Sequence, residues 1–315
     1  MKRHVSVRIL LPLLCLLVLL KVGCCSANTF TWNGSVSSDW FNGTNWIPIG
    51  VPASADTVNF ANGTTISFTS PVTRSGAFNW SSGTLSGSPL TIAGGGMLNI
   101  TGSVSLLNVL TNAGTVTMSG AGNLTIYNNN STYKGGIYNQ TGALWDIQTN
   151  AYITCGICAG DEFFNNAGTL RKSVSSGGAT ISVAFTNTVT GTVTNLTGIL
   201  SFNSGGTLTG TYGAAAGATT EFAGGSFIMG VPPVISGAGL CEFIGTTLTL
   251  TQNVPTNLAL ASGNLILGPA FQGASGITNL TLGGATLIST NTVTGTLNWA
   301  GGTVSGLLTI ANGGV

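Results

Sequence analysis

Charged residues are scarce in this sequence. Lysine, arginine, aspartate and glutamate account for 15 of the 315 residues, or 5%, whereas an ordinary soluble domain carries roughly 25%. A chain with so few basic side chains cannot neutralise a phosphate backbone, so we expect no nucleic-acid partner. Apolar residues nevertheless make up 43% of the chain, which favours a folded protein over a disordered one.

Residues 1–27 have the three parts of a secretory signal peptide. A basic start precedes an apolar run over residues 9–20, and small residues lead to Ala27. This run ends at Lys21 and is shorter than the roughly 20 residues that a membrane-spanning helix needs. We predict cleavage after Ala27 and a secreted or cell-surface protein with no transmembrane helix in its mature chain. A lipid-modified N-terminus at Cys24 is the alternative, although Lys21 lies where an aliphatic residue is expected.

Histidine is absent from the predicted mature chain. The single histidine, His4, lies in the signal peptide, together with four of the eight basic residues. The rest of the chain carries four basic and seven acidic side chains, a net charge of −3. No imidazole can therefore serve there as a base, proton relay or metal ligand.

Short repeats recur with elastic spacing. The heptapeptide Thr-Asn-Thr-Val-Thr-Gly-Thr occurs at 186–192 and again at 290–296, and segment 79–87 resembles segment 298–306. The number of residues between repeats varies, and such variation is typical of stacked coils whose strands are fixed and whose corner loops vary. A looser motif, glycine followed by threonine or alanine behind an asparagine-containing turn, recurs at steps of 19–28 residues, at Gly114, Gly142, Gly168, Gly191 and Gly210.

Apolar residues between these turns alternate with threonine, serine or asparagine, as at 248–251 and 280–282. Alternation with period two places the aliphatic side chains on one face of a strand and the hydroxyl groups on the other. After Ala27 no long segment has helical spacing, and glycine is too frequent for stable helices. We therefore predict an all-β solenoid of about ten to thirteen turns, with leucine, isoleucine and valine inside.

The mature chain divides into two regions by composition. Residues 28–60 hold half of the tryptophans, and we predict that they form an N-terminal cap and the first strands. Residues 61–315 carry the solenoid repeats. The chain stops inside a copy of the segment that begins at Leu90, so we expect a longer protein truncated at its C-terminus.

The tryptophans have two interpretations. We predict that Trp80, Trp145 and Trp299 pack within turns or caps, in preference to forming a sugar-stacking platform. The cap tryptophans are the candidates for stacking on a glycan, namely Trp32, Trp40 and Trp46.

A family resemblance is carried chiefly by segment 31–46, which reads Thr-Trp-Asn-Gly-Ser-Val-Ser-Ser-Asp-Trp-Phe-Asn-Gly-Thr-Asn-Trp, followed by Gly-Val-Pro at 50–52 and Ala-Asp-Thr-Val-Asn-Phe at 55–60. These residues resemble the start of bacterial surface proteins with autotransporter-like or pectin-lyase-like β-helix passengers, and segments 164–172 and 206–211 resemble their repeats. The resemblance implies a right-handed parallel β-helix, export, and a surface or adhesive role. Some members of such families are enzymes, so fold alone does not assign the function.

A catalytic site for polysaccharide cleavage would need two well-placed carboxylates. Only Asp161 and Glu162 are close together in the sequence, and Arg171 and Lys172 are near enough to add positive charge. These four residues are the candidates for a lyase or hydrolase site. Neighbours on a strand point to opposite faces, although in a loop the two acids could converge. The alternative interpretation of this segment is a solvated corner loop, which we prefer because enzymes on this fold generally concentrate more acids and bases on adjacent turns.

The cysteines predict a disulfide rather than a metal site. Cys155 and Cys158 have the spacing of half a zinc site, but no second pair and no histidine completes four ligands. Export favours oxidation, so we predict a bond between Cys155 and Cys158, with Cys241 buried as a small apolar residue. We expect no metal and no cofactor.

These observations favour an exported, repetitive surface or structural protein that is adhesive or contacts a matrix and is not an enzyme. Its threonine, serine and asparagine side chains are suited to many weak hydrogen bonds with glycans, an extracellular matrix or neighbouring surface proteins. Two alternatives remain: a polysaccharide lyase or hydrolase on a β-helix, and a glycan-binding module.

Overall fold

A computed structural model describes residues 27–315 of the chain. The predicted signal peptide lies outside the described residues, apart from its last residue, Ala27. From there the chain winds through about twelve turns, most of which place one strand on each of three faces, which we call A, B and C. The prediction of an all-β solenoid is confirmed. Helix is confined, within 27–315, to the 3₁₀ turns Gly43–Asn45 and Phe271–Ala274, and no helix there is long and apolar enough to cross a membrane.

The strands of each face lie side by side along the solenoid axis. Face A contains Trp46–Ile47, Thr29–Trp32, Thr57–Phe60, Ala77–Trp80, Met97–Ile100, Thr115–Met118, Leu144–Ile147, Thr169–Lys172, Thr192–Asn195, Thr211–Ala214 and Val234–Ser236. Face B contains Thr65–Phe68, Gly83–Gly87, Val104–Leu106, Leu124–Ile126, Tyr152–Cys155, Gly178–Ser182, Ile199–Phe202, Thr219–Phe222, Leu240–Phe243 and Ala259–Leu260. Face C contains Val72–Arg74, Leu90–Ile92, Val109–Asn112, Gly136–Asn139, Phe163–Asn166, Ala184–Asn187, Gly206–Leu208, Ser226–Met229, Thr247–Leu250, Asn264–Leu267, Thr286–Ile288 and Thr303–Ser305. A fourth, three-stranded sheet, face D, contains Ile277–Leu282, Asn291–Trp299 and Leu308–Ile310.

The predicted alternation fills the interior of the solenoid. In strand Thr192–Asn195 the second and fourth residues are buried while the first and third lie outside, and most other strands follow the same pattern. Apolar side chains of successive turns thus stack into one continuous core. Part of that core is a column of phenylalanines whose neighbouring ring centroids are 4.3 to 6.5 Å apart, formed by Phe164, Phe185, Phe202, Phe222, Phe227 and Phe243.

The glycine motif marks the corner that leads into face A. The strands that begin at Thr115, Leu144, Thr169, Thr192 and Thr211 each follow one of the five glycines, and consecutive strands pair in parallel and in register. The separation between paired residues varies from 19 for Thr192 and Thr211 to 29 for Thr115 and Leu144 without disturbing that register, because the extra residues lie in the corners. The predicted elastic spacing is therefore a property of loops between aligned strands.

A ladder of buried asparagines runs along the corner between faces C and A. The amide nitrogen of Asn112 donates to Asn139 Oδ1 at 2.8 Å, Asn139 to Asn166 at 2.7 Å, and Asn166 to Asn187 at 2.8 Å. The same amide groups also donate to backbone carbonyls of the corner, as Asn166 does to Thr192. All four side chains are almost fully buried, so the ladder satisfies polar groups that water cannot reach.

The N-terminal end of the solenoid is covered by the segment before Thr57. Strand Trp46–Ile47 pairs antiparallel with Thr29–Trp32, whereas the pairings of the later strands are parallel. Trp46 lies between Trp32 and Trp40, with ring centroids 4.9 and 4.7 Å away. The three tryptophans of the segment that carries the family resemblance therefore form the apolar core of a cap.

Arg74 fastens this cap to the first turns. Its guanidinium is buried and donates at 2.5 Å to the carbonyl oxygens of both Ala53 and Asp56, and it lies over the ring of Trp40. The Asp56 carboxylate in turn accepts backbone N–H groups from Asn28 and Ala53. Burial lowers the pKa of Arg74 to about 10, against the opposing effect of the Asp56 charge, and that value leaves the guanidinium charged at neutral pH.

Two of the three tryptophans predicted to pack inside do so, and the third does not. Trp80 and Trp145 are fully buried, but Trp299 is 54% exposed. Trp299 pairs with Leu282 on one side, while strand Leu308–Ile310 on the other side pairs only with residues 291–293. The prediction for Trp299 was wrong because no described residue stacks over its ring.

Replacing an asparagine of the ladder should destabilise the fold. Asn166→Ala removes two donated hydrogen bonds and one accepted bond. The buried amide nitrogen of Asn139 then loses an acceptor, and the buried Oδ1 of Asn187 loses its donor. We expect a loss of about 3 kcal/mol in the free energy of unfolding, measured by urea titration.

Asn165→Ala is the matched control, because Asn165 is the preceding residue of the same strand and points outward. It should change the free energy of unfolding by less than about 0.5 kcal/mol. Equal losses in the two variants would contradict the structural role of the ladder.

Candidate functional site

The structure does not bring the four catalytic candidates together. Glu162 is buried, and its carboxylate accepts the backbone N–H of Cys158 at 3.0 Å. Asp161 lies in the exposed part of the loop, where its carbonyl oxygen accepts the amide of Asn128. The two neighbouring carboxylates therefore have different surroundings, and the loop interpretation fits them better than the catalytic one.

Arg171 and Lys172 point to opposite sides of their strand. Arg171 lies outside and donates two hydrogen bonds to the Asp146 carboxylate, at 3.0 and 2.9 Å. Burial raises the pKa of Asp146, but hydrogen bonds from Arg171 and Gln148 and the charge of Arg171 outweigh it and hold that pKa below its ordinary value. Arg171 is thus occupied as the partner of a buried acid one turn earlier.

Lys172 points into the solenoid and is fully buried. Its ammonium group donates to the carbonyl oxygen of Ser175, and to that of Thr197 at 2.9 Å. Burial lowers the pKa of Lys172. The structure therefore does not assemble the alternative lyase or hydrolase site at 161–172, because its residues are divided between a loop, an outer face and the interior.

Cys155 and Cys158 are joined by a disulfide, with Cα atoms 4.9 Å apart. The bond closes the corner that follows strand Tyr152–Cys155, and the contact between Cys158 and Glu162 fixes the next residues of the loop. Cys241 is a buried free thiol whose pKa is raised to about 12 by burial and by the charge of Glu242. Among the described residues no three histidine, cysteine, aspartate or glutamate side chains lie close enough to hold a metal ion.

The cap tryptophans cannot stack on a glycan in this structure. Trp32, Trp40 and Trp46 are at most 2% exposed. The indole N–H of Trp32 donates to Thr64 and that of Trp46 to the carbonyl oxygen of Trp40, both at 2.9 Å. Their prediction as stacking candidates was wrong because the sequence does not show that these rings pack on one another at the end of the core.

A pair of carboxylates on face B was missed in the sequence. Glu221 and Glu242 lie directly opposite each other on adjacent parallel strands, both on the outer side. Burial and the charge of Glu221 raise the pKa of Glu242. The signal was present as Glu-Phe-Ala-Gly at 221–224 and Glu-Phe-Ile-Gly at 242–245, one turn apart.

The basic groups of the described chain are engaged elsewhere. Arg74 and Lys172 are buried, and Arg171 is bound to Asp146. Lys134 donates to the carbonyl and side-chain oxygens of Asn130 in its own loop. The two glutamates therefore repel each other without a compensating basic side chain in residues 27–315.

The strands of face C carry no outward charge, and the first seven of them present one polar outward column. One column of outward residues continues in register from turn to turn, and the only charged residue in the strands of this face, Arg74, points inward. Near the middle of the column lies a groove of about 580 Å³ around Tyr138. The first seven members of the column are Thr73, Thr91, Thr111, Tyr138, Asn165, Thr186 and Thr207.

Comparison with known proteins gives no match to a family model, to a curated protein or to a solved structure. The resemblance of segment 31–46 to bacterial surface proteins therefore stays a prediction.

Glu242→Gln should stabilise the protein at neutral pH and have little effect in acid. The folded state raises the pKa of Glu242, so the protonated form is favoured by folding and that contribution is lost as the pH rises through the raised pKa. At pH 7 the variant lacks the repelling charge, and we expect its melting temperature to exceed that of the unmodified protein by about 1–2 °C.

Near pH 3.5 both forms are uncharged at this position, so the difference in melting temperature should vanish. Asp161→Asn is the control, because Asp161 lies in an exposed loop away from the glutamate pair. A stabilisation by Glu242→Gln that persists at low pH would contradict the account.

Proposed function

We propose that the chain is an exported surface or structural protein that acts by contact along its outer faces and not by catalysis. The observation that carries this proposal is the outward column on face C, which from Thr73 to Thr207 presents a hydroxyl or amide group in register on each of seven successive strands and no charged side chain, before it continues with Ile228. Such a surface offers many equivalent hydrogen-bonding groups about 4.8 Å apart along the axis. Many weak contacts then add up to firm attachment.

The titratable groups of the described chain support a non-catalytic role. An active site brings an acid, a base or a nucleophile together around one position. Here Arg74 and Asp56 fasten the cap, Arg171 and Asp146 join two turns, and Glu162 holds a loop. Each of these groups has a structural partner, whereas Glu221 and Glu242 face each other on adjacent strands without one, and the test below includes them.

Export is supported by two independent observations. Residues 1–27 have the pattern of a secretory signal peptide. The disulfide between Cys155 and Cys158 belongs to an oxidising compartment. A secreted or cell-surface location, with a glycan, an extracellular matrix or a neighbouring surface protein as partner, follows as part of the proposal.

The test compares attachment through two faces. The full chain is exported from cells and its binding to insoluble cellulose, chitin and collagen-coated surfaces is measured. Thr73→Asp combined with Thr91→Asp places two negative charges on face C, at positions that lie opposite each other on adjacent strands. We expect this variant to attach about threefold or more weakly, because charged groups at the contact lose their hydration.

Ser105→Asp combined with Thr125→Asp is the matched control, because the same charges then lie on two adjacent strands of face B. This control should attach like the unmodified protein. Release of soluble sugars from cellulose or chitin, abolished by Glu221→Gln with Glu242→Gln, would instead show an enzyme and refute the proposal. Equal attachment of the two charged variants would refute the role of face C.

A further inference from the structure

An exposed aromatic pair lies at the centre of the polar column on face C. Tyr138 is 43% exposed, and its ring centroid lies 4.9 Å from that of Phe163 on the next strand. The ring of Phe163 lies over Gly136 of the neighbouring strand. A Cβ atom at Gly136 would come within 2.2 Å of that ring. The glycine therefore makes room for the ring that supports Tyr138 from the side.

The groove around Tyr138 is lined by groups that both donate and accept hydrogen bonds. The Asn139 amide is already engaged with Asn166 and Thr169 inside the ladder. The polar side chains that face the groove are instead those of Thr111, Gln140, Asn165, Thr186 and Thr188. A rigid aromatic ring among several amide and hydroxyl groups is the arrangement expected of a site for a small polar ligand with one apolar surface.

The lack of charge on this face selects among such ligands. A nucleic-acid strand would also stack on an aromatic ring, but it needs a positively charged groove. An anionic polysaccharide needs basic partners as well. Because no charged side chain of the face C strands points outward, the groove favours a neutral ligand.

We propose that the groove binds a neutral oligosaccharide, with one pyranose ring stacked on Tyr138 and the flanking hydroxyl groups bonded to Gln140, Asn165 and the neighbouring threonines. A pyranose ring presents C–H bonds on its face, which pack against the electron-rich face of an aromatic ring. Its edge presents hydroxyl groups that match amides and hydroxyls. This inference rests on the proposed function, because both require face C to act by contact.

The outward column continues beyond the groove along the axis. Thr91 lies on one side of Thr111, and Thr207 lies on the other side of Thr186, each in register with its neighbour. A linear saccharide can therefore extend from Tyr138 as far as Thr73 on one side and Thr207 on the other and meet a hydroxyl or amide group at each of these turns, before Ile228 follows in the column. This geometry favours an oligosaccharide over a single sugar.

The experiment titrates the full exported chain with four soluble probes by calorimetry. Cellohexaose, laminarihexaose and chitohexaose are the neutral probes, and trigalacturonate is the charged one. We expect at least one neutral probe to bind and trigalacturonate to bind more weakly. Tyr138→Ala should weaken binding of the neutral probe by about tenfold or more, because the stacking surface is lost.

Two further variants separate stacking from folding. Tyr138→Phe keeps the ring and should bind within about threefold of the unmodified protein. Tyr152→Ala is the matched control, because Tyr152 is a tyrosine of similar exposure on face B, and it should bind unchanged. Circular dichroism and melting temperature establish that each variant is folded.

The site is refuted if none of the three neutral hexasaccharides binds, or if Tyr138→Ala and Tyr152→Ala weaken binding equally. Tighter binding of trigalacturonate than of the neutral probes also contradicts it. Failure of the site and failure of the proposed function are distinguishable. Attachment through face C without hexasaccharide binding contradicts only the site, whereas binding that is lost in Tyr138→Ala but accompanied by release of shorter sugars supports the site and contradicts the non-catalytic function.

Discussion

Hydrogen bonds between successive turns hold each strand residue opposite the residue one turn earlier. The other features of the molecule depend on this register. Because it is preserved through turns of unequal length, like residues fall into columns, and each column is either inside or outside for many turns. Inside, the columns are phenylalanines and aliphatic residues, with the asparagine ladder at one corner. Outside, the same geometry turns single threonines and asparagines into extended surfaces.

The columns also explain where the few charges lie. A charged side chain on an outer face meets the residue at the same position of the next turn, and its effect depends on that neighbour. Asp146 meets Arg171 and forms a paired bridge, whereas Glu221 meets Glu242 and is repelled. Buried Arg74 and Lys172 donate to backbone carbonyls at corners. Charge thus serves mostly to join one turn or loop to another, and the strands of face C are left without an outward charge.

The sequence predicts the winding of the chain well because the winding is a local property. Period-two alternation and the glycine corners are visible within a few residues, so strands and turns can be read without knowing their neighbours. Contacts across turns cannot be read in this way. Trp32, Trp40 and Trp46 look like separate aromatic platforms in the sequence, yet they fold back on one another. Arg171 follows Asp161 by ten residues but contacts Asp146, because strand pairing and not sequence distance sets its neighbour. Tyr138 was overlooked for the same reason: its exposure depends on Gly136 and on Phe163 one turn later.

The central claim is that the turn, and not the face, is the unit that the fold stacks. Hydrogen exchange of the backbone amides, resolved by strand, tests this claim most directly. The account predicts that the strands Thr115–Met118, Leu124–Ile126 and Gly136–Asn139, which lie on three faces of one central turn, share similar protection. It also predicts that protection falls toward the last turns, where face D replaces faces A and B. Uniform protection along each face, with large differences between the three faces of one turn, would contradict it.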